Sequence, residues 1–327
     1  MKKRVLGKTG VEVSEVGLGA WQLGADWGSP LSIEEAHRII SKSVEHGVTL
    51  IDTADVYGAG RSETIIGEAK KHMDGSLFVA TKQGRAPGWE PTYEVMKEHA
   101  LASCQRLQVE TLDLLQLHCI PFSVLQQGDV FLHLERLQKE GIIRFAGVSV
   151  ESVEEGLFCL QQPVVSMLQV IFNIFRQKLV DALLPQAAEA NVGLFARVPL
   201  ASGLLAGKWT QEHRFRADDH RSFNANGECF NVGETFAGLP FSKGVALADE
   251  VKSMLMSEEA DGTMAQRALR WVLDHPAISA VIPGASSLQQ AEDNALVSGQ
   301  PSLTEETHQE LRAFYSEHIA SHIRGPY

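Results

Sequence analysis

Residues 112–150 read LDLLQLHCIPFSVLQQGDVFLHLERLQKEGIIRFAGVSV and contain one complete strand–helix–strand unit. Leu112–His118 and Phe145–Val150 are almost continuous apolar runs, which is typical of parallel strands buried on both faces. Between them, Val130–Glu140 has apolar residues at helical spacing and is followed by Gly141, a common helix terminator. This stretch therefore predicts two parallel strands joined by a right-handed helical crossover.

The same alternation of an apolar run and an amphipathic segment recurs along the rest of the chain. Further strands are predicted at Val16–Trp21, Thr49–Ala54, Leu77–Lys82, Met167–Phe172, Val192–Val198 and Ile278–Pro283. Further helices are predicted at Ile33–Glu45, Glu63–Lys71, Tyr93–Leu107, Val153–Gln161, Leu179–Ala190, Met264–Asp274 and Leu288–Leu296. Eight strand–helix units predict an α/β fold of the closed (β/α)8 TIM-barrel type. An open doubly wound sheet is the alternative, but it usually has about five to seven strands and a glycine-rich dinucleotide turn, which is missing here.

Three segments lie outside the eight units and account for the length beyond the roughly 250 residues of a plain barrel. Arg4–Val13 predicts a β-hairpin that covers the barrel floor. Leu200–Lys243 is too long for a plain connection, and it follows the seventh strand, so we expect a functional loop on the catalytic face. Glu305–His318 predicts an extra C-terminal helix. We expect residues 1–327 to form a single domain.

Composition and charge argue against several classes of function. The chain of 327 residues is 44% hydrophobic and has a formal net charge of −12, so it would repel nucleic acids and anionic membranes. No apolar stretch approaches about 18 residues, and the basic N-terminus lacks the apolar segment of a secretory signal. The 4 cysteines have no CxxC spacing, which is typical of reduced thiols. We expect a cytoplasmic protein without nucleic-acid or membrane partners, and a homo-oligomer is compatible with the sequence.

Four polar side chains occur where consecutive predicted strands end. Asp52 and Tyr57 follow the second strand, Lys82 ends the third, and His118 ends the fourth. Because the carboxyl ends of barrel strands form the catalytic face, we expect these groups to surround one point. A charged lysine and aspartate are costly to bury unless they pair, which favours an Asp52–Lys82 contact.

These four groups fit the reduction of a carbonyl. A tyrosine phenol, with an ordinary pKa of about 10, is a weak acid at neutral pH, and a contacting Lys82 is expected to lower that pKa. Asp52 would hold Lys82, and His118 would bind the oxygen that gains electron density. Tyr57 would then donate a proton to oxygen while a hydride reaches carbon. The alternatives are a purely structural Asp52–Lys82 pair, or a different barrel enzyme, such as a lyase or isomerase, that uses Lys82 as a Schiff base.

The sequence resembles the aldo-keto reductase superfamily over nearly its whole length. Asp52, Tyr57, Lys82 and His118 match the family's Asp–Tyr–Lys–His tetrad in order and strand location. The other matching motifs are Gly17–Trp21, Gly67–Ala69, Gly147–Ser149, Gln169 with Asn173, Pro199–Lys208, Ile282–Ala285 and Glu292–Asn294. The long loop after the seventh strand is more similar to bacterial and potassium-channel-β-like members than to mammalian aldose and steroid reductases.

The resemblance implies that NADP(H) lies extended across the barrel mouth. Asp52 would contact the nicotinamide ribose, and Ser149 and Gln169 would hold the carboxamide. The residues implied to bind the cofactor are Ala20, Trp21, Asp52, Ser149, Gln169, Arg197, Val198, Pro199, Leu200, Ala201, Ser202, Lys208, Arg221, Gly284, Ser286, Gln290, Asp293 and Asn294. Of these, 198–202 and Lys208 would meet the pyrophosphate, whereas those from Gly284 onward would meet the adenosine end.

The chain departs from the family pattern at three positions around the expected cofactor site. Arg197 stands where an aromatic residue usually stacks on the nicotinamide, and we expect it to stack on the cofactor ring or to pair with a phosphate. The alternative is that Arg197 turns away to pair with an acidic residue. Val150 replaces an asparagine that contacts the carboxamide. Ser286 stands where some relatives have a basic residue, and Arg221 is a candidate for supplying the missing charge.

The resemblance implies a small-molecule carbonyl or alcohol substrate. Trp21, Tyr57, Trp89 and His118 are expected to line its pocket, whose apolar walls suit an aldehyde, a ketone or the apolar face of a sugar. Loop residues 213–220 lack the ligand spacing of a metal site, so no metal is expected. The alternative function is a cofactor-binding regulatory subunit that resembles potassium-channel β proteins and has slow or vestigial chemistry.

Overall fold

The computed structural model describes residues 1–24, 30–73, 77–256 and 262–327. The chain begins with an antiparallel hairpin of β1 (Lys3–Val5) and β2 (Glu12–Ser14). A parallel sheet follows, formed in the described residues by β3 (Leu18–Gly19), β4 (Leu50–Asp52), β5 (Phe78–Gln83), β6 (Leu112–His118), β7 (Ile143–Ser149), β8 (Val165–Ile171), β9 (Gly193–Arg197) and β10 (Ala280–Val281). Each strand pairs with the next one along the chain, as right-handed βαβ units require.

The sheet closes on itself between its first and last strands. The Gly17 N–H donates to the carbonyl oxygen of Val281 at 2.8 Å, and the Gly19 N–H donates to that of Pro283 at 3.0 Å. Parallel bridges also join Val16 to Val281 and Gly19 to Gly284. These contacts confirm the predicted (β/α)8 barrel and exclude the open doubly wound sheet.

Helices surround the barrel at nearly all of the predicted positions. Their bounds are α1 (Trp21–Gly24), α2 (Ile33–Glu45), α3 (Arg61–Lys70), α4 (Tyr93–Leu107), α5 (Phe122–Gln127), α6 (Asp129–Lys139), α7 (Val153–Leu160), α8 (Leu183–Glu189), α9 (His220–Phe223), α10 (Phe241–Leu255), α11 (Met264–Leu273), α12 (Leu288–Leu296) and α13 (Glu305–Phe314). Serine or threonine side chains begin many of them. At α2, for example, the Ser32 hydroxyl accepts from the Glu35 N–H while the Glu35 carboxylate accepts from the Ser32 N–H, which is a capping box.

The structure corrects the predicted helices in several places. Trp21, predicted to end the first strand, begins helix α1, and the short helices α5 and α9 lie in segments predicted to be loops. The segment 200–243, predicted to be irregular, gives way to helix α10 at Phe241, directly after Pro240. Helix α8 begins at Leu183 rather than Leu179, because a 3-10 turn (Lys178–Asp181) precedes it. Helix α13 ends at Phe314 and continues as a π-helical turn, Tyr315–Ile319. None of the helices in the described ranges combines the length and apolar character needed to cross a bilayer.

The N-terminal hairpin closes the lower end of the barrel, as predicted. Leu6 and Val13 are fully buried and pack in one cluster with side chains of the barrel interior such as Leu114. Gly7 allows this close approach, because it has a φ of +48° and an added Cβ would lie 2.3 Å from the Gly193 nitrogen. With the floor filled, a ligand can enter only from the carboxyl ends of the strands.

Candidate active site

The four polar residues predicted at the strand ends lie together at the open end of the barrel. Asp52 ends β4, Lys82 lies near the end of β5 and His118 ends β6, while Tyr57 follows in the turn after β4. Lys82 is fully buried, and Asp52 and His118 are each 4% exposed. The Lys82 Nζ lies 2.6 Å from the Asp52 Oδ2 and 3.3 Å from the Tyr57 hydroxyl oxygen. Asp52 and Tyr57 are therefore linked through a single ammonium group.

The Lys82 ammonium uses all of its hydrogen-bonding capacity at this point. Besides Asp52 and Tyr57, it donates to the carbonyl oxygen of Thr53 at 2.7 Å, and an ammonium has three N–H donors. Burial alone would lower the pKa of Lys82, but the charges and hydrogen bonds of Asp52 and Tyr57 raise it overall. A lysine held as a saturated cation is a poor nucleophile, which disfavours the Schiff-base alternative.

Tyr57 keeps its proton at neutral pH. Burial is the largest influence on the pKa of the phenol and raises it, whereas Lys82 lowers it, as predicted. The negative charges of Asp52 and Glu234 raise this pKa further, so the net direction is upward. The reason is that an uncompensated phenolate is costly where the phenol is shielded from water. Lys82 still lies where it can stabilise negative charge that develops on the phenol oxygen.

His118 is a neutral imidazole beside Tyr57. The two rings meet edge to face at 81°, with centroids 5.8 Å apart. Burial first, and then the positive charges of Arg85, Lys82 and Arg197, hold the pKa of His118 well below its usual value. A neutral imidazole has one N–H donor, which is sufficient to bind a carbonyl oxygen without transferring a charge.

Two buried glutamines complete the surroundings of Asp52. The Asp52 Oδ1 accepts from the Gln169 amide at 2.7 Å and from the Gln116 amide at 3.1 Å. The Gln169 amide nitrogen also donates to the Gln116 Oε1 at 3.0 Å. Both N–H groups of Gln169 are thus used, and its Oε1 is left as the acceptor. Gln116 was missed in the sequence, where its signal was a polar residue within the apolar run of β6.

A cavity of about 780 Å³ runs from Tyr57 across the barrel mouth toward the start of α12. The predicted site residues that line it are Ala20, Trp21, Asp52, Tyr57, Gln169, Arg197, Val198, Pro199, Leu200, Ser202, Lys208, Arg221, Gly284, Ser286, Gln290, Asp293 and Asn294. A cavity of this size suits a dinucleotide-sized ligand with one end at Tyr57.

Five other predicted residues lie outside this lining, namely Lys82, His118, Ser149, Ala201 and Trp89. The Ser149 hydroxyl lies 3.4 Å from the Cys119 sulfur, and the Trp89 indole N–H donates to the Gln83 side chain. Ala201 is fully buried. Lys82 and His118 both contact Tyr57, so they still border the reacting end of the cavity.

The long loop after β9 forms one wall of the cavity and lies on the catalytic face, as predicted. The loop residues that line the cavity, beyond those predicted, include Trp209, His213, Arg214, Phe215, Arg216, Asp219, His220 and Glu234. The His220 ring lies 4.8 Å from that of Trp21, which packs 6.2 Å from Tyr57. The available signal was a set of aromatic and cationic residues within an otherwise polar loop.

The two candidate arginines have carboxylate partners in the structure. Arg221 contacts Asp219 through two hydrogen bonds of 2.9 and 2.6 Å, and it packs over the Phe215 ring. The Arg197 Nη1 lies 3.4 Å from the Glu234 Oε1, so Arg197 pairs with an acidic residue, which was the alternative to the expected stacking or phosphate contact. Arg197 also donates to the carbonyl oxygen of Val150 at 3.2 Å.

Two backbone features suit an anionic ligand at the middle and far end of the cavity. Val198, Ala201 and Ser202 all have positive φ, so the chain after β9 curls tightly where it borders the cavity, a geometry often used to bind phosphate. The Asn173 amide donates to the Val198 carbonyl and supports this strained segment. Beyond it, the nine-residue helix α12 begins at the cavity, with Ser287 as its N-cap.

Comparisons with known proteins agree with this geometry. The Aldo/keto reductase family model matches residues 15–316. An uncharacterized oxidoreductase, YqkF of Bacillus subtilis, is 31% identical over 97% of this chain and 96% of its own length. A probable voltage-gated potassium channel subunit beta of Arabidopsis thaliana is 27% identical over 90% of each chain, as the resemblance to that branch implied.

Solved structures of oxidoreductases superpose on most of the chain. The glycerol dehydrogenase AKR11B4 of Gluconobacter oxydans has a TM-score of 0.79 and 27% identity, covering 99% of this chain and 98% of its own. An aldo-keto reductase of Klebsiella pneumoniae, crystallised with NADPH, has the same fold with a TM-score of 0.69 and 23% identity, covering 96% of this chain and 95% of its own. The barrel, the strand-end tetrad and the family match lead to one conclusion: the chain belongs to the aldo/keto reductase family of oxidoreductases.

Proposed function

We propose that this protein reduces an aldehyde or ketone, or oxidises the corresponding alcohol or sugar, with NADP(H) as cofactor and Tyr57 as the proton donor and acceptor. The observation that carries the proposal is the Asp52–Lys82–Tyr57 contact chain at the end of a dinucleotide-sized cavity. The cofactor supplies the hydride when it is bound. The similarity to a potassium channel subunit beta is compatible with the regulatory-subunit alternative, but the assembled groups for proton transfer favour an active enzyme.

Tyr57, Lys82 and His118 have different roles in the protonation of the carbonyl oxygen. Because the pKa of Tyr57 is raised by burial, the phenol is protonated at neutral pH and can give its proton to the oxygen. The negative charge left on Tyr57 then lies beside Lys82, whose ammonium is already in place at 3.3 Å. His118, neutral at this pH, donates a hydrogen bond to the same oxygen. These interactions strengthen as charge develops, so they act on the transition state.

Different residues of the cavity are suited to bind different parts of the cofactor. The Gln169 Oε1 is free to accept from a carboxamide N–H₂, because both Gln169 N–H groups face Asp52 and Gln116. The curled segment after Val198 and the Lys208 ammonium suit the pyrophosphate. At the adenosine end, the start of α12 favours negative charge, which supports a 2′-phosphate despite Ser286.

Cationic residues of the long loop also support a 2′-phosphate. The charge of Arg221 is compensated by Asp219. Arg214 lines the cavity as well, but its hydrogen bonds go to neutral groups, the carbonyl oxygens of Gln211 and His213. We therefore expect NADPH to bind more tightly than NADH. Isothermal titration with each cofactor measures this difference, and tighter binding of NADH would contradict the NADP(H) assignment.

The central test of the proposal is the Tyr57→Phe variant. Removal of the hydroxyl should lower the kcat for carbonyl reduction by about 10²–10⁴-fold, because a positioned general acid contributes that much. NADPH affinity should stay within about twofold, since Tyr57 acts mainly in the transition state. Tyr93→Phe is the matched control, because it removes the same hydroxyl from a tyrosine on α4 that lies outside the cavity lining. Wild-type turnover in Tyr57→Phe, measured as NADPH oxidation with a panel of aldehydes, ketones and sugars, would refute the mechanism.

A further inference from the structure

Four charged residues from the ends of three strands and from the long loop meet beside the candidate active site. Arg85 follows β5, Glu151 follows β7, Arg197 ends β9, and Glu234 belongs to the long loop. The Glu234 Oε1 accepts from the Arg85 guanidinium at 2.7 Å and lies 3.4 Å from the Arg197 Nη1. Arg85 also pairs with Glu151 at 3.0 Å. The two positive and two negative charges therefore balance, so the arginines can compensate the charges of Glu151 and Glu234 without a metal ion.

Arg197 and Glu234 differ from the other two members because they line the cavity. They border it at the end that contains Asp52 and Tyr57. Their side chains are only 10% and 14% exposed, so water screens the charges weakly. Burial would raise the pKa of Glu234, but Arg197, Arg85 and Lys82 together lower it, so the carboxylate is ionised at neutral pH.

The nicotinamide must lie close to this pair if the proposed function holds. A carbonyl that accepts a proton from Tyr57 must also receive a hydride, so the nicotinamide has to reach the Tyr57 end of the cavity. That ring is neutral in NADPH and carries a positive charge in NADP⁺. Nearby fixed charges consequently affect the two redox states differently. Arg197 alone would disfavour the oxidised cofactor, and a carboxylate beside Arg197 opposes that effect.

We propose that Glu234 sets the relative affinity of this site for oxidised and reduced cofactor, by balancing the charge of Arg197 beside the nicotinamide. Glu234 is thus a specificity residue for the redox state of the ligand, rather than a group that reacts. The proposal rests on the proposed function, since it requires a nicotinamide at the Tyr57 end. It explains why an arginine can occupy this position in an enzyme that must also hold a cationic ring.

The test compares the dissociation constants of NADP⁺ and NADPH in wild type and in Glu234→Gln, measured by quenching of tryptophan fluorescence in the full chain. Glutamine keeps an oxygen acceptor for Arg85 and removes only the charge. We expect the Kd of NADP⁺ to rise on the order of tenfold, as for one weakly screened charge. The Kd of NADPH should change less than about twofold, because its ring is neutral.

Two further variants separate charge balance from a merely structural role. Glu151→Gln removes the same charge from the same cluster, but Glu151 lies outside the cavity lining and pairs with Arg85. It should leave the NADP⁺/NADPH affinity ratio close to wild type. Arg197→Met should shift the ratio in the opposite direction, toward NADP⁺, and keeps the proposal testable if Glu234→Gln folds poorly.

The results that overturn the inference are distinct from those that overturn the proposed function. Equal weakening of both cofactors in Glu234→Gln, or an equal shift of the ratio in Glu151→Gln, would mean that Glu234 only holds the long loop in place. If the NADP⁺/NADPH affinity ratio is unchanged in both Glu234→Gln and Arg197→Met, the nicotinamide does not lie beside these two residues. If wild type binds neither NADP⁺ nor NADPH, the proposed function fails and the inference fails with it.

Discussion

Replacing Gln116 with leucine should weaken both the fold and the cofactor site, because the Gln116 side chain joins Asp52 to Gln169. The variant loses the hydrogen bond from Gln116 to the Asp52 carboxylate, at 3.1 Å, and the one from Gln169 to Gln116, at 3.0 Å. A bond to a charged group contributes about 1.5–3 kcal/mol and a neutral one about 1 kcal/mol. Leucine recovers part of this by burying apolar surface, so the free energy of unfolding should fall by about 2–3 kcal/mol.

Equilibrium urea unfolding followed by circular dichroism measures the stability change, and titration with NADPH measures the change in affinity. Gln169 keeps only its bond to Asp52 in the variant, so we expect the Kd of NADPH to rise about threefold to tenfold, as for one weakened hydrogen bond.

The matched control is Gln177→Leu. Gln177 is equally buried and loses two bonds, to the carbonyl oxygens of Ile174 and Leu311, but it lies outside the cavity lining. It should lower stability without changing NADPH affinity. Wild-type stability and affinity in Gln116→Leu would refute the role given to Gln116.

The other two predictions concern pH and the barrel floor. The kcat for reduction should be constant through neutral pH and fall only in alkaline solution, because Tyr57 must be protonated and burial raises its pKa; His118, whose pKa is well below its usual value, should add no inflection near pH 6.5. A decline of kcat between pH 6 and 8 would contradict this. Gly7→Ala should destabilise the fold by about 2–4 kcal/mol in urea unfolding, since its Cβ would clash with Gly193, whereas Gly141→Ala, with open space around it, should cost about 1 kcal/mol.

The barrel could be predicted because its strands are buried on both faces, so that each is a short apolar run such as Leu112–His118. The tetrad could be predicted for the same reason, since Asp52 and Lys82 are conspicuous as charges within such runs. Helix α10 was missed because it starts within a segment whose polar and glycine-rich first half resembles a loop. The order of apolar and polar residues was therefore sufficient to predict those strands and helices whose burial depends on their own sequence.

Other parts of the site depend on contacts that no local pattern encodes. The net direction of the Tyr57 pKa depends on whether burial outweighs the neighbouring ammonium, and only the folded enclosure decides it. Glu234 is one acidic residue among many in the sequence. Its pairing with Arg85 spans 149 positions, and it exists only because the long loop folds back over the barrel mouth.

This long-range pairing limits how the protein can be re-engineered or can diverge. The loops of a barrel are often treated as interchangeable modules on a fixed scaffold. Here, however, Glu234 in the loop after β9 pairs with Arg85 in the connection after β5 and with Arg197 at the end of β9. A loop grafted from a relative without an acidic residue at that place would leave two guanidinium groups facing each other with little water between them. Substitutions at Arg85, Arg197 and Glu234 are therefore expected to be epistatic, and the loop and its distant partners would have to be exchanged as one unit.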